Sequence, residues 1–363
     1  MKSKLFSLIA LTLVAVLLLC SCKGNTPADP VSEGSSTEEF EAVPVQYKSA
    51  LTGLPVENES DQYRRPVAVM INNIKKALPQ YGISKASIIF EALAEGGITR
   101  LLAVFEDVSA VDQIGTVRSS RPIYIDLAES IDAVYIHFGA SPEAYSRLAN
   151  DDIDSYDFIE GKNNSLYWRD KARIKSSGYE HSAFTSGEKI ANKLEEDNVR
   201  MTRSSKYGSM FNFSETIPTF GIKDATKISA VFSSYKTGTY TYDEELGLYR
   251  IGQYGTTHID AETGGQLAFK NVFLLRMNSY VIPGDTAGRL RFESTGSGTG
   301  YYFVNGEKRE ITWKRSSKNA PFKFYAEDGS ELEVFPGDSY IAIVPLNAVV
   351  NIEGIAPQAE NIQ

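Results

Sequence analysis

The spacing of apolar positions changes along this chain, and each change marks a different kind of segment. Lys2 and Lys4 precede an apolar run of 15 residues, Leu5 to Leu19, that ends in Leu19-Cys20-Ser21-Cys22. A charged start, a short apolar stretch and a small residue at the cut site fit an export signal, whereas a bilayer-spanning helix needs about 20 apolar residues. Ser21 precedes Cys22, while Cys20 follows leucines too bulky for a signal-peptidase pocket. Residues 1–21 therefore read as a lipoprotein signal peptide and Cys22 as the lipidated start of the mature chain. An uncleaved anchor is the other reading, and it leaves the rest of the chain on the same side of the membrane. Residues 22–47 are rich in Gly, Ser, Pro, Thr and Glu with no apolar period, which predicts a solvated tether. A flexible coil of roughly 20 residues reaches about 25 Å.

Residues 48–215 alternate strand and helix patterns. Pro66 to Ile71 is a short apolar strand, and IIFEALAE and ITRLLAVFE, separated by Gly96-Gly97, predict a hairpin, with helix the rival reading of its first arm. QIGTV predicts a strand up to Val117. Pro122 opens a helix to Ser130, since proline at a first helical position gives up no needed hydrogen bond. DAVYIHF is the next strand, and Gly139-Ala140-Ser141 leads into a helix with Ser141 as N-cap and Pro142 behind it. Beyond a linker near Pro218, residues 216–354 change to short alternating strands broken by turns, with Asn305-Gly306 and Asp328-Gly329 as hairpin signals. The fold class expected is α+β: an N-terminal α/β-type sandwich domain followed by a mostly antiparallel β domain, with residues 355–363 as a tail.

Composition narrows the functional classes. The 363 residues carry 37 Lys and Arg against 46 Asp and Glu, a formal charge of −9 that becomes −11 once Lys2 and Lys4 leave with the signal. Such a surface repels phosphate backbones unless its basic residues cluster, so no nucleic-acid partner is expected. Both cysteines lie in the signal region, leaving no disulfide and no thiol ligand in the mature fold. With 18 Phe and 20 Tyr the chain can bury a large core, enough for two domains.

The loop Arg118-Ser119-Ser120-Arg121 carries the densest chemistry. It sits between a strand end and a helix start, where free N–H groups, the helix dipole and guanidinium donors suit a phosphate or carboxylate. Ser141, at the second cap, could face the same crevice. Alternatively, both arginines pair with internal acids such as Asp126 or Glu91. Glu91 and Glu95 are four apart, a spacing that places them on one face in strand or helix. They suit an acid–base pair, a divalent-cation site, or a salt-bridged turn with Arg100. His137, in an apolar strand, reads as core; His181, in a polar loop with Ser182 and Thr185, is the better catalytic candidate. Trp313, Tyr301, Tyr302 and His258 suit a sugar-binding face or a β core. No GxSxG, HExxH, Walker A or dinucleotide fingerprint occurs, and neither a metal-ligand set nor a cofactor motif is recognisable.

The runs RPVAVMINNIKKALPQYGISKASIIFEALAEGGITRLLAVF and IGTVRSSRPIYIDLAESIDAVYIHFGASPEA, with YWRDKARI and EHSAFTS after them, resemble the YerB-like lipoproteins of Gram-positive bacteria. That family pairs N- and C-terminal domains of unknown function, designated 3048. The resemblance covers nearly the whole mature chain and implies location and architecture rather than a reaction. Family members usually read Pro-His-Asn where this chain has Glu180-His181-Ser182. A partial likeness runs to the LytR-CpsA-Psr enzymes, which transfer glycopolymers from polyprenyl pyrophosphate to peptidoglycan, through TRLLAVFED, QIGTVRSSR and AVYIHFGASPEAYSRL. Where those enzymes carry a metal-binding Ser-Asp-Thr and a Pro-Arg-Asp loop, this chain has Ile98-Thr99-Arg100 and Val117-Arg118-Ser119, so the magnesium-holding carboxylates are missing.

Three function classes stand on these readings. The first is a lipid-anchored envelope protein on the extracytoplasmic face, holding an anionic, phosphate-bearing or wall-polymer ligand through Arg100, Arg118, Arg121, Ser119, Ser120 and Ser141. The second is a wall-polymer transferase or hydrolase using Glu91, Glu95 and His181. The third is a scaffold that recognises another protein through the β domain.

Overall fold

Ten strands drawn from both halves of the sequence form the backbone of the molecule. The computed structural model describes residues 46–216 and 223–354. The signal peptide, Cys22, nearly all of the tether, the linker at Pro218 and the tail lie outside the described residues. In chain order the ten strands are β1 (Val67–Asn72), β2 (Ile88–Leu93), β3 (Thr99–Phe105), β4 (Val134–His137), β5 (Ser155–Asp157), β6 (Asn271–Met277), β7 (Gly296–Val304), β8 (Glu307–Arg315), β9 (Lys323–Tyr325) and β10 (Ser339–Pro345). Across the sheet they run β9-β8-β7-β6-β10-β2-β3-β1-β4-β5. The join between sequence halves is parallel, with β10 beside β2 and Ser339 opposite Ile88.

The central strands are buried along their whole length, which is why VAVMIN and TRLLAVF read as continuous apolar runs rather than alternations. β2 and β3 form the expected hairpin, turned by Gly96 and Gly97 at φ 57° and 74°, angles that an L side chain rarely adopts. Proline opens α1 (Pro122–Ser130). Ser141 caps α2 (Pro142–Asn150), its Oγ accepting the Ala144 N–H at 3.2 Å. Two further α-helices, α3 (Lys171–Ser177) and α4 (Gly187–Glu196), complete the set among the described residues. The fold is mostly β with few helices.

One face of the large sheet packs on α1, bringing Tyr124, Leu127 and Ala128 against Met70, Phe90 and Leu102. The other face is covered by a second sheet, in which Lys227–Val231, Thr237–Asp243, Leu248–Gln253 and Val350–Glu353 pair antiparallel. Its Tyr240, Tyr249 and Ile251 share a core with Val69, Leu101 and Tyr340. Local turn chemistry is as expected at Asn305-Gly306, where Val304 pairs with Glu307, while Asp328-Gly329 closes on the single bridge between Tyr325 and Glu331.

Two expectations are corrected. QIGTV is a strand only at Ile114–Gly115, because the segment leaves Phe184 opposite Gly115 and then bonds to the end of β1 through Val117 and Ile71. Trp313, Tyr302 and His258 are buried side chains of the core and present no sugar-binding face.

Candidate functional site

Seven strands of the large sheet, β1, β2, β4, β5, β6, β8 and β10, run in one direction, so their carboxyl ends meet at one edge. In open sheets of this kind ligands lodge outside that edge. Here it carries the arginine loop. Arg100 enters at the start of the antiparallel β3, opposite Asn72 on β1 and Ala92 on β2, and is almost wholly buried. Its Nη1 donates to the Ser119 carbonyl at 2.6 Å and its Nη2 to Glu95 Oε1 at 2.7 Å. Arg121 grips the same carboxylate with Nε and Nη2, each at 2.7 Å, and donates Nη1 to the Ser120 carbonyl. Burial pulls the Arg100 guanidinium down to about 9, with Arg121 adding to the effect. Burial pushes the Glu95 carboxyl up, but Arg100 and Arg121 outweigh it and hold the group below the usual carboxylate range.

Arg118 stands apart from that clamp. Its Nη2 donates to Glu180 Oε2 at 2.9 Å and its Nη1 to the Glu180 carbonyl at 3.3 Å; its side chain is 26% exposed and that of Glu180 62%. The loop itself is fixed by backbone bonds to the second cap: Ser120 N–H donates to the Gly139 carbonyl at 2.8 Å and Ser141 N–H to the Ser120 carbonyl at 3.2 Å. Ser120 Oγ accepts the Tyr135 hydroxyl at 2.8 Å. The arginine loop and the Gly139-Ala140-Ser141 turn therefore border one crevice, with Ser119 half-buried at its mouth. Three guanidinium groups meet Glu95 and Glu180 there, and Asp157 closes the side of the Gly139 turn, its Oδ1 accepting the Gly139 N–H at 2.7 Å, so the formal charges balance.

The acids named from sequence as partners of these arginines have other roles. Asp126 binds Arg147 at 2.8 Å and accepts the Ser294 hydroxyl at 2.6 Å. Glu91 and Glu95 do not share a face: β2 ends at Leu93, and the glycine turn breaks the strand period before Glu95 can follow it. Glu91 points into the core between the sheets. Its Oε1 lies 2.8 Å from Lys236 Nζ and accepts Thr99 Oγ1 at 2.6 Å and Asn73 Nδ2 at 2.9 Å. Its Oε2 accepts the Tyr340 hydroxyl at 2.7 Å. Burial pulls the Lys236 ammonium below its ordinary value while Glu91 pulls it back, and burial with the Glu91 charge pushes the Tyr340 phenol well up.

His181 belongs to a short 3-10 turn, Tyr179–His181, and is buried rather than in a polar loop. Asn72 Nδ2 lies 2.9 Å from its Nδ1, and Nε2 lies 3.2 Å from Glu180 Oε1. A donor at Nδ1 places the ring proton on Nε2; burial holds the imidazole below its ordinary range against the pull of Glu180. Glu91, Glu95 and His181 are thus held by three separate partner sets. Among the described residues no group of three or more His, Cys, Asp or Glu side chains is placed to hold a metal ion. Sequence reasoning missed Glu180 and Lys236, which close the two ion pairs from segments distant in sequence.

Two family models match the chain: "Protein of unknown function (DUF3048) N-terminal domain" over residues 51–200 and the C-terminal domain of the same family over residues 228–341. The chain is 33% identical over 323 residues to a Bacillus subtilis protein named "Putative lipoprotein YerB", covering 85% of this chain and 91% of that one. The crystal structure of YerB from Bacillus subtilis superposes with a TM-score of 0.72 at 30% identity, over 84% of this chain and 100% of the other.

Proposed function

Because this chain belongs to the DUF3048 family of YerB-like proteins, we propose that it is a lipid-anchored envelope protein whose arginine crevice binds an anionic ligand. Cys22 would carry the lipid and hold the body at the extracytoplasmic face of the membrane. The observation that carries the reading is the position of Arg118. Its guanidinium is solvent-accessible, lies beside the Arg100–Glu95–Arg121 clamp, and is neutralised only by the exposed Glu180. A phosphate or carboxylate group can replace the Glu180 carboxylate on Arg118 Nη2, and an exposed ion pair resists such exchange by no more than about 1 kcal/mol. Ser119 supplies a hydroxyl at the mouth, and the Glu95 clamp keeps the loop in place without itself needing to move.

The transferase or hydrolase reading has less to draw on, since Glu91 is sealed between the sheets and Glu95 is saturated by two guanidinium groups. The deciding experiment is thermal unfolding of the full chain in detergent against phosphate, pyrophosphate and wall fragments, with and without magnesium. A ligand that binds only the folded state raises the midpoint by mass action. The expected result is a rise with pyrophosphate that disappears in Arg118→Ala. A rise that requires magnesium would favour the transferase, and no rise with any ligand would overturn small-ligand binding in favour of a scaffold that recognises protein.

A further inference from the structure

The far end of the large sheet carries a second concentration of basic side chains. A cleft of about 770 Å³ opens where β7, β8 and β9 meet the loops around them, lined by Thr295, Ser297, Lys314, Arg315, Lys323 and Tyr325 among others. No lining residue is a carboxylate, in a chain whose formal charge is −9.

The strand register makes the concentration costly. Lys314 lies directly opposite Lys323 across β8 and β9, and Ser297 lies opposite Lys314 across β7 and β8. Like charges in directly opposed positions destabilise a sheet. Outside the cleft, Lys323 reaches Glu331 at 2.7 Å, but that pair is well exposed at both ends. Lys314 is exposed and lies 4.4 Å from the centre of the Tyr325 ring, so only an aromatic face offsets it. Arg315 follows Lys314 on β8 and so faces the other side of the strand; it is 2% exposed, with Nε donating to the Ala320 carbonyl at 2.8 Å and Nη2 to the Asp126 and Lys318 carbonyls. The cost left on the cleft side is therefore that of the two facing lysines, and a bound anion would remove it.

We propose that this cleft is a second anion site, separate from the arginine crevice, that takes a chain bearing several phosphate groups. The row Ser297–Lys314–Lys323 crosses three strands, about 10 Å at the spacing of neighbouring strands, which exceeds the width of a single phosphate. The two ammonium groups act as point charges to successive phosphates, and the hydroxyl of Ser297, on the far side of Lys314 from Lys323, extends the row by one donor. The open shape of the cleft suits a chain that passes through it.

Calorimetric titration of the full chain in detergent with tripolyphosphate, at low and at high salt, tests the site. In the Arg118→Ala background, which removes the arginine crevice, binding is expected to remain, to fall at least tenfold when Lys314→Gln/Lys323→Gln is added, and to weaken with salt as screening grows. The control Lys162→Gln/Lys175→Gln in the same background makes the same change of net charge on exposed lysines elsewhere and is expected to leave binding unchanged. Equal binding by the Lys314/Lys323 variant overturns the proposal, as does equal weakening by the control. Loss in Arg118→Ala alone moves the ligand to the arginine crevice. A glycerol-phosphate oligomer as a second probe separates a polyol-phosphate chain, which it would reproduce, from free polyphosphate, which it would not.

Discussion

The carboxylate of Glu91 and the ammonium of Lys236 lie 2.8 Å apart with both side chains 1% exposed. One comes from β2 and the other from the turn before the strand Thr237–Asp243, so the pair ties the large sheet to the sheet that covers it. Lys236 Nζ also donates to Gln253 Oε1 at 2.6 Å, and Glu91 takes three further donors. Removing one partner of a buried pair leaves an uncompensated charge, which costs about 3–5 kcal/mol. Lys236→Met is therefore expected to destabilise the protein by that amount in denaturant titration. Glu91→Gln/Lys236→Met, which removes both charges, is expected to cost clearly less than the lysine change alone. A double variant as unstable as the sum of its parts would show that the two groups are not coupled.

The two ion pairs of the arginine crevice differ in the same currency. Glu95 is the shared partner of Arg121 and of the buried Arg100, and Glu95→Gln is expected to cost roughly 3 kcal/mol or more. The exposed Arg118–Glu180 pair is expected to contribute less than about 1 kcal/mol, so Arg118→Ala should unfold almost as the wild type does. Urea midpoints of the two variants measure the contrast. A large loss in Arg118→Ala would mean that the residue supports the fold rather than waiting for a ligand.

What was legible in the sequence was local. Gly96-Gly97, Pro122 and Ser141 each act on their own neighbours, so the hairpin, the start of α1 and the cap of α2 follow from residue type and spacing. The arginine loop and the cap at Ser141 do lie side by side, but through the backbone bonds of Ser120 with Gly139 and Ser141 rather than as ends of neighbouring strands, since the strand before the loop, Ile114–Gly115, lies outside the large sheet. The partners could not be read. Glu95 sits just past the end of β2, where the strand period no longer tells which way a side chain points. Glu180 and Lys236 reach their partners only through the pairing of distant elements, and nothing in their own segments distinguishes them from solvated surface charges. The junction of β2 with β10 is of the same kind: an apolar strand states that it is buried, not which strand lies beside it.

Asp338 gives the protein a pH dependence. Burial, with the Glu106 charge adding to it, pushes its carboxyl up to about 7. A carboxyl raised in the folded state binds its proton more tightly there than in the unfolded chain, where it titrates near 3.9. Its contribution therefore favours the folded state below about pH 4 and is lost progressively as pH rises to about 7. Asp338→Asn removes the ionisation, and it is expected to stabilise the protein by up to about 4 kcal/mol at pH 8 while leaving stability at pH 4 unchanged. Unfolding midpoints at the two pH values decide the matter, since an equal effect at both would rule out the titration as the cause.

Gly187 tests how closely the layers at the other edge of the sheet are packed. It is the first residue of α4, behind the cap Ser186, whose Oγ accepts the Lys189 N–H at 3.3 Å. Its own N–H donates to the Val111 carbonyl at 2.8 Å. Alanine is ordinarily the better helix former, and an exposed first-turn glycine would gain from the change. Here a Cβ would overlap the Val108 carbonyl oxygen and press on the Val111 carbonyl, both of them backbone atoms that cannot turn aside as a side chain would. α4 also lays Ile190 and Leu194 into the core beside Val108 and Val111, so a shift of the helix would open that packing as well. Gly187→Ala is therefore expected to destabilise by about 2–3 kcal/mol. Gly264→Ala is the contrasting variant: that glycine has a positive φ but nothing within 4 Å of the added carbon, so its cost is backbone strain alone, about 1–2 kcal/mol. A stabilised Gly187→Ala in chemical denaturation would mean that α4 can move away from the 108–111 segment without loss.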